Sequence, residues 1–275
     1  MVTAHPDDET FGMGGTIARY IAEGMEVYVV CATKGEAGEA EPALLAQYNS
    51  MADLREEEMR QAIQVLGIKE VFFLGYRDSG MAGSTDNENP CAFIRAPLER
   101  TGEEIATYIR KLRPTLLLTF DPMGGYGHPD HIHTYRSVMK ALEIARDESR
   151  NISDLPPFYP QGIYCHTFPK KIMRIVIKLM PLFGKNPRKF GKNSDIDFVQ
   201  IMDANFPINA RIGYRKYSSI REKASACYQS QGGDRQSGYF ITWLLRLFNS
   251  SEVFMQYYPK SSSRKVKRDL FAELI

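Results

Sequence analysis

No apolar run in this 275-residue chain reaches the length of a bilayer span. Its four cysteines, Cys31, Cys91, Cys165 and Cys227, are scattered and form no CxxC pair. That spacing excludes a disulfide framework and a cysteine-rich metal site. Scattered thiols fit a reducing compartment, so the expected setting is cytoplasmic. Neither charge sign dominates, since the formal net charge is +2. This argues against a nucleic-acid binder that works by gross charge. No signal peptide is read at the start, where the sequence runs directly into polar residues. No internal repeat is visible. What remains is ordinary for a globular protein, with 43% hydrophobic and 25% charged residues. The length fits one large domain, or one with an appendage.

The first 150 residues alternate strand-like and helix-like segments. Val2 to Ala4 leads into His5. Gly12, Gly14 and Gly15 predict a tight turn into a helix through Ile17, Tyr20 and Ile21, with Gly24 as its stop. Met25 to Ala32 predicts a buried strand, Met51 to Leu66 an amphipathic helix closed by Gly67, and Val71 to Leu74 a strand. Leu98 to Leu112 predicts a helix ended by Pro114. Leu116 to Phe120 predicts a strand, and Ile132 to Ala145 a helix. This alternation predicts an α/β fold, a Rossmann-like, mostly parallel sheet with helices on both faces. Residues 1–160 are expected to form the catalytic core, and residues 161–275 a C-terminal extension completing the same domain. In the extension, strands are expected near Asp197–Met202 and Ala210–Tyr214. Helices are expected from Ser218 to about Tyr228 and around Trp243. Only four residues precede His5, fewer than a central strand normally has. The first strand is therefore expected to be unusually short, or the reading frame to begin upstream.

Histidine is also scarce, and its placement is the most informative feature. Three of the five histidines fall in two short motifs, His5-Pro6-Asp7-Asp8-Glu9 and Gly127-His128-Pro129-Asp130-His131. Each follows a predicted strand. In an open α/β sheet the carboxyl ends of the strands share the rim where ligands bind. His5, Asp8 and His131 make the two-His-one-Asp set that zinc uses when one position stays open for water. Asp7, adjacent but not a ligand, suits a general base. His128 suits an electrophile toward a developing oxyanion, and then the acid for a leaving amine. Asp130 suits a role orienting His128, and the Tyr126 phenol can polarise the same carbonyl. Gly124, Gly125 and Gly127 are expected to let this loop approach a substrate. His133 reads as solvated or supporting rather than as a fourth ligand. His166 reads as structural. On spacing alone, Arg55 belongs to a surface run of acids and bases, and Asp78 to a turn.

These motifs resemble the LmbE-like, or PIG-L, family of zinc-dependent de-N-acetylases. The resemblance extends through Thr33-Lys34-Gly35-Glu36, Leu54-Arg55-Glu56-Glu57-Glu58, Leu74 to Met81, and Asp121 to Tyr126. It thins after about residue 136. It implies a Rossmann-like fold with a C-terminal extension and a Zn2+ cofactor, with Fe2+ as the alternative metal. It implies His5, Asp8 and His131 as metal ligands, Asp7 as base, His128 as electrophilic acid and Tyr126 as a mobile tyrosine at the substrate carbonyl. It moves Arg55 and Asp78 from bland readings to sugar contacts. Where Tyr228 stands, the family often has a histidine.

The expected reaction is hydrolysis of an N-acyl group, foremost acetyl, from a 2-amino sugar or a glucosamine conjugate. The expected partner is therefore a small amino-sugar conjugate. Two other readings stay open: an amidase acting on a thiol S-conjugate, and a metal-containing carbohydrate-binding protein without catalysis. Residues 168–194 hold eight Lys or Arg and no acid. They favour a helix packed on the domain over one lying on an anionic membrane surface.

Overall fold

The computed structural model describes residues 1–167, 177–183, 186–188, 199, 206–233, 250–261, 265–272 and 274. The expected strand at Asp197–Met202, the helix around Trp243 and most of the basic stretch 168–194 lie outside the described residues. The chain divides into two compact units. The first comprises Met1–Asp78 and Arg211–Glu252, the second Ser79–Ala210 and Val253–Ile275. Among the described residues, no helix is long and apolar enough to cross a membrane.

In the first unit, β1 (Val2–Thr3), β2 (Tyr28–Thr33) and β3 (Glu70–Tyr76) form a parallel sheet in that order. Val2 faces Val30, and Val29 faces Val71. Two crossover helices join the strands, α1 (Asp8–Ala22) and α2 (Met51–Leu66). Val29, Val30, Cys31 and Ala32 are buried, as are Leu54, Met59, Ala62 and Leu66 along one stripe of α2. A fully buried side chain of this kind contributes about 2 kcal/mol. The ends of α2 follow local chemistry. Ser50 Oγ accepts the Asp53 N–H at 3.1 Å, and Gly67 takes the left-handed closing position at φ 82°.

The predicted glycine turn before α1 is not there. The helix begins at Asp8, directly after the His5–Asp7 turn, and Gly12, Gly14 and Gly15 lie inside it. Helix propensity is overridden by packing at Gly15, where a Cβ would overlap the Tyr214 ring. Glu252 adds a second anchor, accepting the N–H groups of Gly15 at 3.0 Å and Thr16 at 2.7 Å.

In the second unit, α3 (Leu98–Leu112) leads to β4 (Leu116–Phe120), and α4 (Pro129–Arg146) leads to β5 (Gly162–Thr167). β4 and β5 run parallel, from the Leu116–Gly162 pair to the Phe120–His166 pair. α3 and α4 meet through Gly102 against Lys140 and a buried Thr101–Ser137 hydroxyl pair at 2.7 Å. The chain crosses between the units within β6 (Ala210–Gly213) and returns within β7 (Ser251–Tyr258). In between, α5 (Ser218–Cys227) occupies the predicted helix position. β7 was not anticipated. It pairs antiparallel with β5, Cys165 facing Met255, and is the departure from an otherwise parallel pattern.

Candidate active site

The first motif forms the turn between β1 and α1. Asp7 takes a left-handed backbone, φ 113°, a region L residues enter rarely and Asp more readily than most. Its carbonyl accepts the N–H groups of Thr10 at 2.9 Å and Phe11 at 2.8 Å, which starts α1. Asp8 folds back on its own turn, with Oδ2 accepting the N–H of Ala4 at 3.1 Å and of His5 at 2.8 Å. His5 lies between two carboxylates. Nδ1 is 3.7 Å from Asp8 Oδ2, and Nε2 is 3.4 Å from Asp78 Oδ1. Asp78 is itself held, donating its N–H to Glu36 Oε2 at 2.9 Å. All three are buried. Asp8 and Asp78 thus face opposite nitrogens of the one ring, and imidazole and carboxylate are donor types that a borderline divalent cation such as zinc accepts.

Arg55 is not a surface residue. It is 4% exposed and points into the same turn, where its Nη2 donates to the Pro6 carbonyl and to Asp7 Oδ2, the latter at 3.0 Å. Gly35 and Gly38 make room for it, since a Cβ at either would lie 2.9 Å from the guanidinium. Burial pushes the Asp7 carboxyl up to about 7; Arg55 opposes that rise and Asp8 adds to it. Glu9 is fully buried. Its Oε2 accepts the Asp7 N–H at 3.1 Å, and its Oε1 accepts the hydroxyls of Thr10 and Tyr228, the latter at 2.6 Å. Burial raises its pKa as well.

The second motif forms the start of α4. His128 is the N-cap, and Pro129 takes the first helical position. His128 Nδ1 accepts the Asp130 N–H at 3.2 Å, so the neutral ring carries its proton on Nε2. His131 is set the other way. Its Nδ1 faces the Gly124 carbonyl at 3.1 Å and must donate, which puts the lone pair on Nε2. Phe120 stacks on the His131 ring at 4.0 Å and fixes its plane. Tyr126 stands edge-on to both imidazoles, at 6.0 Å from His128 and 5.0 Å from His131.

The loop before α4 is organised by Asp121, whose Oδ1 accepts the N–H groups of Met123 and Gly125, each at 3.0 Å. Burial raises the Asp121 pKa. Gly124 lies against the first turn of α4. Its φ is 61°, and a Cβ there would lie 2.6 Å from His131 Cβ. The Asp130 carboxylate accepts the Ser79 N–H at 2.9 Å, and its residue meets His128 through the backbone N–H. His133 is buried, not solvated. Phe93 packs edge-on against it at 4.7 Å, and burial lowers its pKa. His166 packs on Phe254 within the sheet.

The structure thus gathers His5, Asp7, Asp8, Arg55 and Asp78 in the first unit, and Tyr126, His128, Asp130 and His131 in the second. Glu9, Asp121 and Tyr228 were not singled out as site residues. Glu9 and Asp121 stood inside quoted motifs, so their signal was present. Tyr228 gave only a departure from the family pattern.

Residues 1–142 match the family described as PIG-L, GlcNAc-PI de-N-acetylase. The chain belongs to that family and is an N-deacetylase, a hydrolase of a carbon–nitrogen amide bond. Among its relatives, a 1D-myo-inositol 2-acetamido-2-deoxy-alpha-D-glucopyranoside deacetylase 1 of Catenulispora acidiphila is 44% identical. That match covers 100% of this chain and 88% of the relative. The corresponding deacetylase of Thermobifida fusca is 40% identical over 63% of this chain, and the chain spans 63% of that protein's length. Of solved structures, the N,N'-diacetylchitobiose deacetylase from Pyrococcus horikoshii is similar in fold, with TM-score 0.62 and 21% identity. It covers 93% of this chain and 81% of its own. The expected family and fold class are borne out.

Proposed function

We propose that the chain removes the N-acetyl group from a 2-acetamido-2-deoxyglucoside, with an inositol-type polyol as the leading aglycone. Zn2+ is the proposed metal, held by His5, Asp8 and His131. The opposite tautomers of His128 and His131 carry this reading. One ring offers an N–H and the other a lone pair, the division of labour an amide hydrolase with one metal requires. A divalent metal supplies Lewis acidity and lowers the pKa of bound water from 15.7 to about 7. Asp7 takes the proton of the attacking water. His128 Nε2–H and the Tyr126 hydroxyl donate to the oxygen that gains charge, and the proton Asp7 took then passes to the departing amine, directly or by way of His128, so that both groups end in their starting state. Arg55 and Asp78 are the proposed sugar contacts, with Arg55 also holding the Asp7 carboxylate. Asp130 orients His128 through its main chain. The residues from 161 onward are proposed to complete the catalytic domain, a reading supported by the pairing of β5 with β4.

The test combines metal analysis with acetate release from a panel of N-acetylglucosaminides, including the myo-inositol glycoside. Chelation is expected to abolish turnover and added zinc to restore it. His131→Ala is expected to purify with less than a tenth of the wild-type metal. Full turnover after chelation, or full metal content in His131→Ala, overturns the reading.

A further inference from the structure

The turn that carries Asp7 also contains an acid with no assignment in the reaction. Glu9 is fully buried, one residue past Asp8, and each of its oxygens is committed. Oε2 accepts the Asp7 N–H at 3.1 Å. Oε1 accepts two hydroxyls, from Thr10 and from Tyr228. Tyr228 closes α5, lies 219 residues away in sequence and is fully buried. Its own carbonyl accepts the N–H groups of Gly233 at 2.9 Å and Gln231 at 3.1 Å, and Phe11 packs on its ring at 5.7 Å. The phenol is therefore rigidly presented.

Asp7 needs such a support. At φ 113° and ψ −28° its backbone lies outside the regions an L residue holds unaided. Arg55 holds its carboxylate and α1 holds its carbonyl. Only Glu9, among the hydrogen bonds described, holds its N–H. The N–H and carbonyl together fix the direction of the Asp7 Cα–Cβ bond.

We propose that Glu9 and Tyr228 are positioning residues for Asp7: Glu9 pins the Asp7 main chain in its left-handed conformation, and the Tyr228 hydroxyl pins Glu9. This rests on Asp7 being the base. It also explains why a tyrosine works at 228, because only an O–H or N–H donor at that depth can reach Glu9 Oε1. The pair acts on the orientation of the reacting group, so its loss lowers kcat and leaves KM in place.

The experiment measures kcat, KM, zinc content and Tm for Tyr228→Phe, Glu9→Ala, Glu9→Gln and the Tyr228→Phe/Glu9→Ala double variant. Asp7→Ala is the control, and the assay is acetate release from an N-acetylglucosaminide. Tyr228→Phe keeps the ring packing and is expected to lose about 10-fold in kcat, and Glu9→Ala about 100-fold, the scale of a misplaced catalytic group. KM and zinc content should stay within about twofold, well inside the tenfold that 1.4 kcal/mol represents. Glu9→Gln keeps an oxygen for the Asp7 N–H and should recover most of the loss. Adding Tyr228→Phe to Glu9→Ala should change kcat little, because the hydroxyl acts through Glu9. Folded, zinc-loaded Tyr228→Phe with wild-type kcat overturns the proposal, even if its Tm falls, and so does Glu9→Gln with a kcat as low as that of a misplaced base. Should Glu9→Ala not fold, Tyr228→Phe decides. Loss of turnover in Asp7→Ala beside unchanged kcat in Tyr228→Phe defeats the positioning role alone. Wild-type kcat in Asp7→Ala defeats the base assignment, and this proposal with it.

Discussion

The first unit holds a group of buried acids and the second a buried arginine with the same material, although each also buries the other sign, Arg55 in the first and Asp121 and Asp130 in the second. The first holds Asp8, Glu9, Glu58, Asp78 and Glu252 away from solvent. Its acids lean on main-chain N–H groups. Asp8 takes two, Glu9 takes one, Glu58 takes that of Ser230 at 2.7 Å, and Glu252 takes two within α1. The second unit buries Arg110 at 2% exposure. Its guanidinium donates to five carbonyls, those of Ile144, Ala145, Asp147, Arg150 and Leu155, at 2.7–3.2 Å. Three of these close the end of α4, where helix carbonyls lack partners and the dipole is negative. Backbone dipoles thus serve as counter-charge in both units. In the first unit they also orient the motif residues; around Arg110 they hold a buried cation.

The largest effect that would break this contrast is expected at Arg110. Arg110→Met leaves five carbonyls without their donor and should cost about 3 kcal/mol, read as a lower urea midpoint. The kcat of the folded fraction should not move, since His131 sits about 20 Å away at the other end of α4 by helix rise. A fall in kcat at unchanged stability would show that the buried cation serves catalysis. Next in size is Gly124→Ala, at a position with φ 61° and no room for a Cβ beside His131. It should cost about 2 kcal/mol of stability. It should also weaken the proposed zinc binding about tenfold by disturbing the Gly124 carbonyl that meets His131 Nδ1. Unchanged zinc affinity in a metal-buffer titration would separate the loop from the ligand. The smallest effect is expected for Tyr126→Phe, about tenfold in kcat for loss of the proposed oxyanion donor, with metal content and Tm unchanged. A kcat equal to wild type would restrict the edge-on tyrosine to packing.

The legibility of these features in the sequence follows how local their causes are. The bounds of α2, α3 and β4 were read correctly, because Ser50, Gly67 and Pro114 act within a turn of where they stand. The motif residues were legible because histidine is scarce and the strands before them are short and apolar. The start of α1 was misread, since glycine usually breaks a helix and nothing nearby in the chain announces Tyr214. Arg55 resembled a surface charge because α2 is rich in acids and bases; the glycines that admit its guanidinium lie in a different segment. β7 went unread, and the tie from Tyr228 to Glu9 spans most of the chain. The tautomers of His128 and His131 depend on which main-chain group each ring meets, and no spacing rule supplies that.

The fit of Gly15 against Tyr214 has an evolutionary corollary. Neither site can drift alone: enlarging the first demands shrinkage of the second, and a smaller residue at the second opens a hole that only a bulkier partner refills. Across descendants of a common ancestor the two columns should therefore change in concert, small beside aromatic or medium beside medium. A Gly15→Ala lesion should be rescued by cutting Tyr214 back to alanine, since the overlap falls on the Cγ and Cδ atoms at the root of the ring.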